Sequence, residues 1–536
     1  MSSDEEPEIV QTRQPSADIV RETESTKGSK DYTNGEPPHI DDHDDHDVDG
    51  EVLFTLEKVR SRAHLVSELN SIFPDFRVYL SEKEIPVNWS LRKRLGHTIA
   101  YGLTTFTAQF GASMMSPNVE AVAQEFHVGR EVTLLVFGIY VLGNMVGPII
   151  FAPLSEVSGR KIGVFIPCFI AGVWLCVAAN ASNVWALMVF RFIAGVFAAA
   201  PIVSSGGALG DLWPAESRAA ALVLYASCIV MGSTTAPVFG ALLDITGSYG
   251  WRWTCWLSGL LQMVIPAINY LLLSESYGPV LEKNKARDLR IRTKIWEFHA
   301  DIDGWKLTAQ EFVRFHCMRP ILMFLTPVLC LLIIYTSFIY GLLFLCVTSV
   351  GQQFQEKHNF SFVASYVPLI SISIGFYFGG ALNILNSNRY SKIKKKYGTV
   401  APEQRLPAMM FFGWTLPCGL FIYGWTMRPS IHWFVPCIGL GFVGSGVATI
   451  FQGSLVYIVD YNVKYGASGI AANTVLRSVF GGSFPLFSLQ LMSNLGVGWG
   501  SSLLAFIGLA LWPCSWLFYF FGERLRQYEP YGDVLH

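Results

Sequence analysis

The stretch VTLLVFGIYVLGNMVGPIIFAPLSEVSGRKIGVFIPCFIAGVWLCVAAN, residues 132–180, decides the fold. It holds two apolar runs of roughly twenty residues, each long enough to cross a bilayer as a helix, parted by a short turn that carries Glu156, Arg160 and Lys161. Two such runs joined by a tight charged loop are the signature of consecutive membrane spans.

Outward from that pair the pattern repeats. The chain has 536 residues, 51% hydrophobic and 15% charged, and its apolar residues gather in blocks. Twelve blocks are expected to span: 97–117, 132–153, 162–180, 184–209, 219–243, 253–273, 321–350, 361–385, 407–427, 431–457, 467–492 and 498–521. A polar stretch divides them six and six. The expected organisation is a disordered acidic, His-rich tail over 1–75, a six-helix bundle over 76–273, a central linker over 274–319, a second bundle over 320–525 and a short C-terminus over 526–536. Within the tail, residues 53–73 show helical spacing of apolar side chains opposite Lys58, Arg60, Arg62 and Glu68, the pattern of a helix lying on the membrane surface.

Orientation follows from the cations. Lys and Arg concentrate in alternate connections and in the linker (Lys283, Lys285, Arg287, Arg290, Arg292, Lys294), which places those segments and both termini in the cytoplasm. The opposite connections are short, so a small molecule, not a large partner, is the expected ligand.

Several classes are disfavoured. A net charge of −2 and a pI near 6.6, with no basic domain, leave no nucleic-acid partner. The ten cysteines show neither CxxC pairs nor zinc-ligand spacing, and HIDDHDDHDVDG (39–50) reads as a solvated acidic run, so no metal is expected. Absence of a G-x-x-x-x-G-K-[ST] run argues against an ATP-driven pump, and no nucleophile/base constellation marks an enzyme. The halves echo one another weakly, with Pro237 in the fifth span and Pro485 at similar depth in the eleventh, as in transporters built from repeats.

Motifs then add order: GNMVGP (143–148), PLSEVSGRK (153–161), RFIAG (191–195), DLWPAESR (211–218) and MGSTTAPVFG (231–240). Together with SPNVEAVAQEF (116–126), YGWRWTCW (249–256), ESYGPVLEKNKARDLR (275–290) and FPLF (484–487), this series resembles the major facilitator superfamily, and within it the fungal twelve-span drug:proton antiporters. The resemblance covers about residues 97–525. It implies an all-α fold of two six-helix bundles, export of small molecules by alternating access, and protons as the coupled ion with no cofactor beyond the proton gradient. It further implies a plasma-membrane setting, and a monomer is expected.

By that resemblance Glu156, Gly159, Arg160, Lys161, Asp211 and Arg218 form a cytoplasmic gate, with Arg160 paired to Asp211 and Glu156 facing the start of the eleventh span near 466–469. Ala152 replaces the family's first glycine in this motif. Arg191, in the outer half of the fourth span, matches the arginine implicated in proton coupling; snorkelling to the surface is the alternative. Gly232, Ala236, Pro237 and Gly240 match the antiporter helix motif, and small-residue spacing also reads as plain close packing.

No Asp or Glu lies near the middle of a span; Glu120, Asp244 and Asp460 sit near span ends. A polycationic cargo therefore lacks its natural counter-charge. Phe106, Gln109, Phe110, Tyr335, Tyr340, Tyr366, Asn473, Arg477 and Phe480 are candidates to line a mostly apolar cavity for hydrophobic or weakly cationic compounds. The alternatives are an uptake carrier or uniporter for a nutrient, metabolite or polyamine, and a non-transporting membrane sensor.

Overall fold

The structure is a computed structural model that describes residues 76–214, 217–244, 250–304, 326–398, 401–461 and 466–527. The tail over 1–75, with its expected surface helix, lies outside the described residues, as do most of the C-terminal residues 526–536.

Twelve helical rods carry the fold because a bilayer core offers backbone N–H and C=O groups no water and forces each segment to satisfy its own. They are α1 (Leu91–Ser113), α2 (Arg130–Val157), α3 (Arg160–Ala178), α4 (Val184–Leu212), α5 (Arg218–Asp244) and α6 (Gly250–Leu272). After the linker come α7 (Pro327–His358), α8 (Ile370–Tyr397), α9 (Pro407–Thr426) and α10 (Phe434–Tyr461). The helical run Gly466–Leu511 breaks at Gly496, where φ is +74°, and Gly500 packs back against Leu491 and Met492. It therefore supplies α11 (466–495) and the start of α12, which continues through Pro513–Gln527. Among the described residues ten helical runs pass as membrane spans by length and hydropathy. One of these is the run that folds back, and α1 completes the twelve although Arg92, Lys93 and Arg94 crowd its first turn. Its threonines hide their polarity: Thr98, Thr104 and Thr105 each donate to the carbonyl four residues earlier.

The two halves repeat one packing scheme. In the first, α1 lies on α5, α2 on α4, and α3 on both α4 and α6; in the second, α7 lies on α11, α8 on α10, and α9 on both α10 and α12. The halves meet along two seams, α2 with α11 and α5 with α8. At the first seam a Cβ on Gly138 would stand 2.2 Å from the carbonyl oxygen of Gly482, so both residues must be glycine for the backbones to touch. The nine described cysteines are all free.

Before α1, residues 76–90 dock on the linker. Val78 N–H donates to His299 O at 3.0 Å, Arg77 pairs with Asp301, and Lys285 on the linker helix Gly278–Thr293 reaches Glu84 at 2.9 Å.

Candidate functional site

Between the halves lies a cavity whose empty space, with the open solvent at its mouth included, is about 970 Å³. It begins at the face that carries the basic connections and is walled by α4, α5, α8, α10 and α11, with Gly206, Val223, Asn383, Val456 and Ile470 among its lining. A second, smaller space of about 320 Å³ continues it inward, sharing Ala226, Ile229 and Phe451 and adding Tyr340 and Phe376. The lining is largely apolar. Among the described residues no acid lines it, and its cations are Arg405 and Arg477.

The opposite face is closed by bonds between the halves. Ser116 Oγ donates to Val347 O at 2.8 Å, Arg130 Nη2 to Gln352 Oε1 at 2.9 Å, and Gln490 Nε2 to Glu131 Oε1 at 2.6 Å. Deeper in, Gln109 Nε2 donates to Tyr340 Oη at 3.0 Å, and Phe137 packs on Phe344. Such a molecule is open on the basic face and sealed on the other.

On the basic face Arg160 is the hub. Its Nε donates to Asp211 at 3.0 Å, its Nη1 to Ser155 Oγ at 3.0 Å, and its guanidinium lies 4.7 Å from the centre of the Tyr277 ring. The backbone N–H groups of Arg160 and Lys161, at the start of α3, donate to the Glu275 carboxylate at 2.9 and 3.0 Å. That is a helix N-terminus with its orphan donors and positive dipole end met by an anion. Gly159 has φ +93°, and a Cβ there would stand 2.4 Å from Glu275 Oε2. Lys161 Nζ sits over the Tyr270 ring, and Arg218 donates to the carbonyls of Gly210 and Trp213 at the end of α4.

Glu275 was not singled out by sequence; it meets the start of α3, a different helix start from the one expected for Glu156, which is that of the eleventh span. Glu156 is half-buried beside Arg160 and makes no hydrogen bond to the described residues. Its expected partner at 466–469 abuts residues outside the description, and Ile470 next to it lines the open cavity. Also missed was a second hub: Arg405 Nε donates to Asp460 at 2.8 Å and its Nη1 to Ser387 Oγ at 3.3 Å, with the guanidinium 3.6 Å from the centre of the Tyr390 ring.

Arg191 does not snorkel. It is 1% exposed, its Nε donates to Val136 O at 3.0 Å, its guanidinium faces the Tyr140 ring, and its Nη2 has no partner among the described residues. Gly232, Ala236 and Gly240 put the small face of α5 on α1, within the same half: Cβ atoms at the two glycines would meet the carbonyl oxygens of Phe106 and Met114 at 2.6 and 2.1 Å. Pro237 is buried in the same helix. The face of α5 toward the other half is different, with Thr234 hydrogen-bonded to Ser373 at 2.6 Å.

The cavity candidates separate. Arg477 lines the main cavity and Tyr340 its inner end. Phe106 and Phe110 stack on one another against Ala236 instead. Asn473 holds Thr336, Tyr366 packs on Gly351, Phe480 packs on Phe484, and Tyr335 is buried in the core of the second half. None of these lines either cavity. Where a span is apolar all round, periodicity cannot separate a cavity face from a packing face.

Three comparisons bear on this arrangement. A profile described as Major Facilitator Superfamily matches residues 101–485. An efflux pump (bik6) of Gibberella fujikuroi is 36% identical over 85% of this chain and 94% of that protein. A major facilitator superfamily multidrug transporter (FLU1) of Candida albicans is 34% identical over 84% of this chain and 74% of its own. The solved structure of the proton:xylose symporter XylE bound to 6-bromo-6-deoxy-D-glucose superposes with a TM-score of 0.57 over 80% of this chain and 97% of that one, at 12% identity. At that identity the likeness concerns the fold.

Proposed function

The chain belongs to the major facilitator superfamily, and from that premise we propose that it is a proton-driven exporter of small, largely apolar compounds that works by alternating access. One observation carries the reading: an apolar cavity between two repeated halves, open on the basic face and closed on the other by hydrogen bonds that must break for the cycle to proceed. The basic face is the cytoplasmic one by its cations, with both termini inside, so this is the state that loads cargo from the cell. Efflux as the direction is drawn from the relatives named as efflux pump and multidrug transporter. Plasma membrane and a monomeric state belong to the same proposal.

Of the cargo classes expected from sequence, neutral apolar compounds fit the lining better than cations. Among the described residues no acid lines the cavity, and Arg477 sets a positive charge in its wall. Arg191 is the residue we assign to proton coupling. It is a buried cation with an unsatisfied Nη2, held over Tyr140 between α2 and α4, and its field bears on any proton entering there.

The test is flux of an apolar dye in proteoliposomes holding the full chain, with and without an imposed pH gradient. Gradient-dependent flux that Arg191→Ala abolishes is expected. Equal flux without the gradient would rule out antiport and leave a uniporter.

A further inference from the structure

Among the described residues Arg477 is the one charge in the cavity wall without an ionic partner. Arg405, the other, is already spent on Asp460. Arg477 sits in α11, 5% exposed, with its guanidinium 5.0 Å from the centre of the Tyr340 ring and 5.3 Å from that of Phe451. Its Nε is buried with no hydrogen-bond partner, and no hydrogen bond from the guanidinium to any described residue exists. A guanidinium stays charged at any working pH, so a buried one needs an anion, acceptor atoms or water to be stable. On the same wall Gln452, 7% exposed, leaves both Oε1 and Nε2 unpaired. Neighbouring polar groups are satisfied: Thr474 Oγ1 donates to Ile470 O and Tyr225 Oη to Pro201 O. Among the described lining residues the unmet buried polarity is thus one cation and one amide, beside aromatic rings and facing the cavity.

We propose that Arg477 and Gln452 form an anion-binding subsite in the cavity, which selects cargo carrying a carboxylate, or a comparable ionised oxygen, on a flat apolar body. The carboxylate takes N–H donors from the guanidinium and from Gln452 Nε2, and the apolar body lies against Phe451 and the aliphatic lining. This deepens the exporter reading and rests on it. A purely structural arginine, kept for packing on Tyr340 and Phe451, would leave no preference among cargo charges.

Three probes of one shape separate the readings: 2-naphthoate, 2-naphthamide and 2-naphthylmethylammonium, titrated into the purified full-length protein in detergent at neutral pH. The wild type is expected to bind naphthoate at least tenfold more tightly than the ammonium compound, with the amide between them. Arg477→Gln should bring naphthoate down to the level of the amide, Arg477→Lys should keep the order at reduced spread, and Gln452→Leu should weaken naphthoate about threefold while leaving the ammonium compound unchanged. Retained amide binding certifies that each variant is folded. Equal binding of anion and cation by the wild type, or an Arg477→Gln variant with the charge order intact, overturns the subsite and leaves the exporter reading standing. Absence of binding by all three probes also overturns it, and the pH-gradient flux measurement then tells whether the exporter reading falls as well.

Discussion

The two hubs on the basic face are made of the same four residue types, yet they are anchored differently. Arg160 holds Asp211, Ser155 and the Tyr277 ring; Arg405 holds Asp460, Ser387 and the Tyr390 ring. In each half the arginine stands at the start of the third helix, Arg160 as the first residue of α3 and Arg405 two residues before α9, and the aspartate is the last but one residue of the fourth. The difference lies in where the tyrosine comes from and what covers the helix start. Tyr390 belongs to α8, one turn beyond Ser387, so the second hub is closed within its own bundle. Tyr277 and Glu275 belong to the segment that leaves α6 for the linker, so the first hub is tied to the chain that joins the halves. Motion of the first basic face must therefore pull on the linker, and motion of the second need not.

The comparison is broken most severely at the glycines of the two connections. Gly159 and Gly398 both have positive φ, +93° and +78°, but only Gly159 has a neighbour where a Cβ would go. At Gly398 nothing stands within 4 Å. Gly159→Val should cost about 3 kcal/mol or more, from backbone strain plus expulsion of Glu275, whereas Gly398→Val should cost about 1 kcal/mol from strain alone. Thermal unfolding of the two variants side by side measures the gap; equal shifts would remove Glu275 from the account.

Next come the aspartates. Asp211→Asn and Asp460→Asn each remove one carboxylate from a part-buried arginine that keeps its serine and its ring, and each should cost about 1–3 kcal/mol. If the hubs are equivalent gates, gradient-driven flux falls by similar factors in both. A loss confined to Asp211→Asn would show that the linker-tied hub alone controls cycling.

Sequence reached the first hub and not the second for a physical reason. The Arg160–Asp211 pairing came through the resemblance of PLSEVSGRK and DLWPAESR to family motifs, while Arg405 and Asp460 stand in no motif that was singled out, and separations of 51 and 55 positions carry no signal of their own. Glu275 was invisible because its partners are backbone N–H groups 115 and 114 positions away, and a backbone donor leaves no mark in a sequence. Twelve spans and six-plus-six packing were legible because the bilayer fixes length and hydropathy. The cavity was not. Of the candidates, Tyr340 and Arg477 reached it, while its aliphatic wall, Ile202, Val223 and Val456, looks like any other apolar helix surface.

Glu275→Gln is the one-sided prediction. The amide keeps an acceptor oxygen for one N–H but loses the charge on the dipole end of α3 and the second acceptor, which should cost about 1 kcal/mol. The described residues of the second half offer no counterpart in which to make this change. Loss of thermal stability together with altered cycling, from a residue far from the cavity, is the expected result; unchanged flux would confine Glu275 to folding.

The smallest effect concerns the segment before α1, which docks on the linker in the first half alone. Burial pushes the Glu84 carboxyl up, but the Lys285 ammonium and the Ser81 N–H together outweigh it and hold it below its ordinary value. A carboxylate held low in the folded state stabilises above its unfolded value of about 4, and that contribution is lost as pH falls through the lower folded value. The docking should thus be intact at neutral pH and weaken in acid. The pair is partly exposed, so salt and water screen it. Hydrogen exchange over the linker helix, corrected for its intrinsic pH dependence, should rise about twofold to threefold between neutral and acid pH. Glu84→Gln should show the higher exchange at both and no pH step. A step that survives in Glu84→Gln would belong to another group, with Glu282 the first to test, since burial first and then Asp301 raise its carboxyl on the same helix.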